Sequence, residues 1–237
     1  MSGHSHWAGI KQRKGVNDAK RANIFTKYGR LISIAAKVGG GKPESNFQLR
    51  LVIERARGEN MPKDKIEKAI KRGTGELKDQ AEIQEVMYEA YGPGQVAMLI
   101  KAATDNKNRA LGEIRTILTK NGGKMVAEGA ISFLFKQVGE IVVETKNNSD
   151  DLEMLAIEAG AEDTEITDEF LNIYTKVSDL QKVREALEKE GLKIENASLA
   201  YVPLQKITLN EKDKPAYEKL LELLDDQEDV EIIYDNL

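Results

Sequence analysis

The sequence predicts a multi-domain α+β protein: an N-terminal three-helix bundle, a second α/β domain, and an inserted ferredoxin-like domain of β-α-β-β-α-β order. Three observations predict it. The hydrophobic period is helical up to about residue 75 and then alternates between period-two and helical segments. From Gly139 onward the segments follow the regular strand–helix–strand–strand–helix–strand order. The charge is also partitioned: residues 1–78 hold 18 Lys/Arg against 7 Asp/Glu, a net +11, while residues 79–237 hold 17 against 33, a net −16. With 237 residues, 41% of them hydrophobic and only 5% aromatic, two or three modest cores are expected rather than one large one.

The elements follow in order. From Asn17 to Val38, apolar residues at Ile24, Tyr28, Leu31, Ile32 and Ala35 give the stripe of an amphipathic helix, which Gly39-Gly40-Gly41 ends. A second helix begins near Ser45 or Asn46, both good caps, and runs through Leu49, Val52, Ile53 and Ala56 to Gly58. A third follows Pro62, buries Ile66, Ala69 and Ile70, and stops at Gly73. Short connections make these a bundle, preceded by a basic arm without periodicity. Val86, Tyr88 and Ala90 then alternate with polar neighbours up to Gly92-Pro93-Gly94, and Val96–Ala103 completes a hairpin. Asn106 caps a helix faced by Leu111, Ile114, Ile117 and Leu118, and a strand is expected at about 130–135. The inserted unit reads as strand 140–145, helix 150–159, strands near 164–167 and 170–176, helix 179–190 and strand 192–202. The tail adds a strand near 206–209, a helix with Tyr217, Leu220, Leu221 and Leu224, and a strand Val230–Tyr234. It is too short to bury a core alone, so it is expected to return to the hairpin. The expected domains are therefore 1–78, then 79–135 with 205–237, with 136–204 inserted.

Composition excludes several chemistries. With no cysteine there is no disulfide, thiolate nucleophile, iron–sulfur cluster or Cys-based zinc site. No apolar run approaches the roughly 20 residues of a membrane helix, and no signal-peptide pattern opens the chain, so a cytoplasmic protein with no membrane partner is expected. The only histidines, His4 and His6, lie in the arm, so no histidine base sits in a folded pocket. The expectation is a non-enzyme with no cofactor, no metal site and no small-molecule substrate. Gly39-Gly40-Gly41-Lys42 lacks phosphate-loop spacing, Asp105–Arg109 lacks the distal Glu of a calcium loop, and Asp225-Asp226-Glu228-Asp229 reads as a solvated turn.

The charge partition points instead to a polyanion partner, DNA or ribosomal RNA. Lys11, Arg13, Lys14, Lys20, Arg21, Lys27 and Arg30 follow one another along the arm and first helix and are the expected phosphate contacts. Trp7, the only tryptophan, either stacks on an exposed base or packs on the bundle. Lys63, Lys65, Lys68, Lys71 and Arg72 form a second cationic stretch or an ordinary solvated face. No helix presents an obvious base-reading set, so weak sequence specificity is expected, and the acidic domains are candidates for holding a protein partner.

The sequence also resembles the YebC family. The resemblance is carried by Gly3-His4-Ser5-His6-Trp7, Lys11-Gln12-Arg13-Lys14, Asp18-Ala19-Lys20-Arg21, Ile24-Phe25-Thr26-Lys27, Asn60-Met61-Pro62, Tyr91-Gly92-Pro93-Gly94, Thr104-Asp105-Asn106 with Asn108-Arg109, and Glu158–Asp163. It implies the same three-domain arrangement with a ferredoxin-like insertion. It further implies a probable DNA-binding transcriptional regulator, the alternative being a ribosome-associated translation factor or translational activator. The family-like text starts at residue 2, which leaves no room for a mitochondrial transit peptide and fits a bacterial-type cytoplasmic member. Gln95 departs from the pattern, which leads us to expect a further glycine there.

Overall fold

The computed structural model describes residues 18–77, 81–145, 149–167 and 170–237, with side chains described from residue 22 on except at 149 and 150. In chain order the elements are α1 (Asp18–Gly39), α2 (Phe47–Gly58), α3 (Lys63–Gly73), β1 (Gln84–Tyr91), β2 (Ala97–Thr104), α4 (Lys107–Lys120) and β3 (Lys124–Met125). They continue with β4 (Phe135–Glu144), α5 (Ser149–Ala159), β5 (Asp163–Ile166), β6 (Phe170–Thr175), α6 (Leu180–Lys189), β7 (Ile194–Pro203), α7 (Lys214–Asp225) and β8 (Val230–Asp235). The chain divides into two compact units. One comprises the residues up to Phe135 together with Pro203–Leu237, and the other is Lys136–Val202.

In the first unit, α1, α2 and α3 enclose Tyr28, Ile32, Ala36, Leu49, Ile53, Ala56 and Ile66, which supply the apolar burial that stabilises three short helices. Asn46 sets the α1–α2 corner. Its Oδ1 accepts from Leu49 N–H at 3.1 Å, capping α2, while its amide donates to the carbonyls of Ala35 and Gly40, each at 2.8 Å. Gly40 leaves α1 at φ 84°, the left-handed exit that the glycine run allows. At Gly73 a Cβ would collide with the carbonyl of Ser33, so glycine there lets α3 close against α1.

The rest of this unit is an antiparallel sheet in the order β3-β1-β2-β8, with α4 and α7 against one face. Tyr88, Met98, Ile100, Ile114, Leu118, Leu220 and Ile233 form its core. The C-terminal strand does return, pairing β8 with β2 from Met98↔Asp235 to Ala102↔Val230. The expected strand near 206–209 does not form; Ile207 N–H makes one 2.7 Å bond to the Asn236 carbonyl instead. The expected strand at 130–135 is also absent. Glu89, buried on β1, accepts N–H groups from Gly129 and Ile131 at 2.7 Å and from Ser132 at 3.1 Å, which curls that segment into a turn and delays the strand to Phe135. Burial pushes the Glu89 carboxyl up, but those backbone donors outweigh it and hold it below its ordinary value.

The second unit has the strand order β5-β6-β4-β7, the ferredoxin-like arrangement, with β4 antiparallel to β6 and Glu140 opposite Tyr174. Ile141, Val143, Leu171, Ile173, Val183 and Leu187 are buried in it. Glu140 is buried as well. Burial, reinforced by the neighbouring Glu165, pushes its carboxyl up to about 7.

Two outcomes are expected. Gln95 sits at φ 62° beside Gly94 at φ 71°, in the turn closed by Gly92 N–H on the Val96 carbonyl at 2.8 Å. A side chain in that region costs on the order of 1 kcal/mol, so Gln95→Gly should raise unfolding stability by about 0.5 kcal/mol in urea titration, and a loss of stability would refute the strain. Because the folded value for Glu140 is raised, stability should fall as pH climbs from its unfolded value near 4.5 to about 7. Glu140→Gln should flatten the melting profile across that window and melt higher than wild type at pH 8; an unchanged profile would show that Glu140 does not titrate there.

Candidate nucleic-acid interface

The bundle core dictates which cations face water. With Leu49, Val52, Ile53 and Ala56 turned inward on α2, Arg50 and Arg57 are left on the outer side. Burying Ile66 and Ala69 on α3 likewise leaves Lys63, Lys65, Lys68 and Lys71 exposed. Lys42, between α1 and α2, is exposed too. Two of these groups rest on aromatic faces, Arg50 5.3 Å from the Phe47 ring centre and Lys65 5.1 Å from that of Phe25, contacts that orient a cation without neutralising it. Lys63 pairs with Glu67 at 3.6 Å across one helical turn, an exposed pair of small energetic weight.

Of the arm residues singled out above, Trp7, Lys11, Arg13 and Lys14 lie outside the described residues. Lys20 and Arg21 fall in the first turn of α1, and their side chains lie outside the description. Lys27 and Arg30 are described, and both turn inward. The Lys27 ammonium donates to the Asp225 carbonyl and stands 3.9 Å from that residue's carboxylate. The Arg30 guanidinium donates to the Glu228 carbonyl and lies 3.1 Å from both Glu228 Oε1 and Asp229 Oδ1. Asn23, four residues before Lys27, donates to the Asp226 carbonyl. Arg72 also departs from the exposed α3 set, binding the Ala81 carbonyl and, at 3.0 Å, Asp105.

The acidic turn after α7 is thus not the solvated turn that the sequence suggests. Asp229 is 1% exposed, and the turn's carbonyls stand at the negative end of the α7 dipole, where donors from α1 satisfy them. Arg109, just inside α4, closes the network. It reaches Asp229 at 2.9 Å, Asp105 at 3.2 Å and Glu228 at 3.5 Å. Gln227 fixes the central carboxylate, its amide donating to Asp229 Oδ2 at 3.1 Å while its Oε1 accepts from Asp229 N–H at 2.7 Å. Burial pushes Asp105 up, but the bond from Arg72 and the charges of Arg109, Arg72 and Arg30 hold it below its ordinary value.

Sequence reasoning passed over Arg50, Arg57 and Arg109. For the two on α2 the signal was present, since naming the core face of α2 fixes the outer one. For Arg109 the sequence carries the family resemblance but no sign of its partner Asp229, 120 positions away.

Residues 5–76 match the model of the TACO1/YebC protein N-terminal domain, and residues 83–237 match that of the TACO1/YebC second and third domain. The chain belongs to the TACO1/YebC family. A probable transcriptional regulatory protein of Caldanaerobacter subterraneus subsp. tengcongensis is 48% identical over all of this chain and 98% of its own length. One from Pseudothermotoga lettingae is 47% identical over all of this chain and 93% of its own length. The crystal structure of a conserved hypothetical protein from Aquifex aeolicus, 42% identical, superposes with a TM-score of 0.85 over 98% of this chain and 96% of that one. Within this TACO1/YebC chain, the Thr104-Asp105-Asn106 and Arg109 segment that carries the resemblance supplies two members of the ion network, and Asn106 caps α4 by accepting from Arg109 N–H at 3.1 Å. No helix among the described residues is long and apolar enough to cross a membrane.

Asp229→Ala removes the carboxylate that Arg30 and Arg109 share but leaves Arg30 its Glu228 partner and Arg109 its Asp105 partner, so it should lower stability by about 1–3 kcal/mol in urea titration. A loss below about 1 kcal/mol would mean that water replaces the carboxylate freely.

Proposed function

We propose that this chain is a nucleic-acid-binding regulator of gene expression, non-enzymatic and cytoplasmic, that engages duplex DNA through phosphate contacts made by its basic N-terminal third. The observation that carries the reading is the +11 charge of residues 1–78, together with a bundle whose packing leaves Lys42, Arg50, Arg57, Lys63, Lys65, Lys68 and Lys71 facing water. Each phosphate neutralised by such a group releases a counterion, which contributes affinity whatever the base sequence. Lys11, Arg13, Lys14, Lys20 and Arg21 make the first contacts, Trp7 stacks where a base is unpaired, and Lys27 and Arg30 continue the same track along α1 while paired internally. The names of the relatives, probable transcriptional regulatory proteins, support a role in transcription. The remainder, with its net −16, is repelled by the same polyanion and is left to hold a protein partner.

Affinity for a mixed-sequence duplex should fall with salt at a log–log slope of about −4 to −7, reporting roughly five to eight phosphates. Reversing the charges of Lys11, Arg13 and Lys14 should flatten that slope by about 2 to 3 units. A slope near zero would remove phosphate contacts from the mechanism. Competition of labelled duplex DNA against ribosomal RNA fragments at about 150 mM salt decides the class of nucleic acid, because A-form and 2′-hydroxyl contacts still discriminate there. DNA should prevail; RNA winning by more than about tenfold, a gap of roughly 1.4 kcal/mol, would make the chain an RNA-binding translation factor instead.

A further inference from the structure

The charge track leaving the arm along α1 does not meet solvent at Lys27 and Arg30; it meets a row of oxygens. Asn23, Lys27 and Arg30 are spaced by four and then three residues, which puts them on one face of the helix. They donate to the carbonyls of Asp226, Asp225 and Glu228 respectively, with the carboxylates of Asp225, Glu228 and Asp229 beside them. The carbonyls of Asp225 and Asp226 end α7, where the helix dipole is negative, and Glu228 lies in the turn just beyond. To α1 this surface resembles a phosphate backbone, since it offers acceptor oxygens with carboxylate charge beside them along one helix face and carries no base identity.

We propose that the 225–229 turn is an internal competitor for the nucleic acid, occupying Lys27 and Arg30 in the free protein and surrendering Lys27 when a polyanion binds. The inference rests on the nucleic-acid reading above and adds its regulation. Lys27 is the exchangeable member. Its ammonium, a point charge on a flexible stem, lies beside the Asp225 carbonyl and 3.9 Å from that residue's carboxylate, and on polyanion binding it moves to a phosphate oxygen. Arg30 is the fixed member, locked by the buried Asp229. The turn thus lowers the affinity of the adjacent basic track by an amount set by its own negative charge.

The test uses the full chain with a mixed-sequence DNA duplex as probe. Asp225→Asn combined with Glu228→Gln leaves the Asp229 pairs in place. It should tighten binding about threefold or more at roughly 150 mM salt and steepen the salt slope by about 1, one extra phosphate. Adding Lys27→Gln to that variant should return both quantities to those of the wild type. Asp225→Asn alone, the milder change, should act in the same direction, and melting curves identify any variant that fails to fold. Unchanged affinity and slope in the folded variants overturns the competition, as does weaker binding, which would make the turn a mount that α1 needs. A wild type that binds with a steep salt slope while the variants gain nothing overturns this inference alone. A wild type that does not bind the duplex at all overturns the nucleic-acid reading beneath it.

Discussion

A carboxylate withdrawn from water has to be met by cations, and in this protein that requirement is concentrated on Asp229. Its side chain receives Arg30 from α1 and Arg109 from α4, while Gln227 holds it in place. Arg109 and Arg72 meet again on Asp105, so the start of α4, the turn before β8, α1 and α3 are tied through one set of charges. The bundle and the sheet have separate apolar cores, and this polar seam links them. Such a seam adds little net stability over an apolar contact of the same size, but breaking one side of it is costly, which makes the docked geometry specific.

That geometry divides the basic residues into two populations. Arg30, Arg72 and Arg109 are consumed by internal carboxylates, whereas the α2 and α3 cations stay in water because the bundle core occupies the opposite faces of their helices. Guanidinium groups suit the first role, since a planar fork can serve two carboxylates at once, whereas the inward Lys27 sets a single ammonium beside Asp225. Lysine suits the second, and four of the exposed cations on α3 are lysines. Net charge alone does not separate these populations; packing does.

What could be read from the sequence follows the range of the interactions involved. The helix boundaries at Gly39–Gly41, Asn46 and Pro62 rest on contacts a few residues apart and are legible, as is the strand–helix–strand–strand–helix–strand succession after Gly139, which depends on local period. The strand start at Phe135 was misplaced because Glu89 controls it from 40 positions away through Gly129 N–H. Arg30 was legible as a cation but not as an internal one, since Glu228 lies 198 positions along the chain. The acidic turn reads as a solvated one because nothing in its own residues announces the donors on α1. Gln95 shows the converse: the expectation of a glycine there came from pattern alone, and the φ of 62° supplies its physical reason.

The claim on which the account stands is that a polyanion meets the N-terminal third and not the acidic remainder. Cross-linking the full chain to a mixed-sequence duplex at low salt, followed by mass spectrometric mapping of the attached peptides, tests it most directly. The account predicts attachment within residues 1–78, with the exposed lysines of α3 represented alongside the arm. Attachment concentrated in residues 79–237 would contradict it.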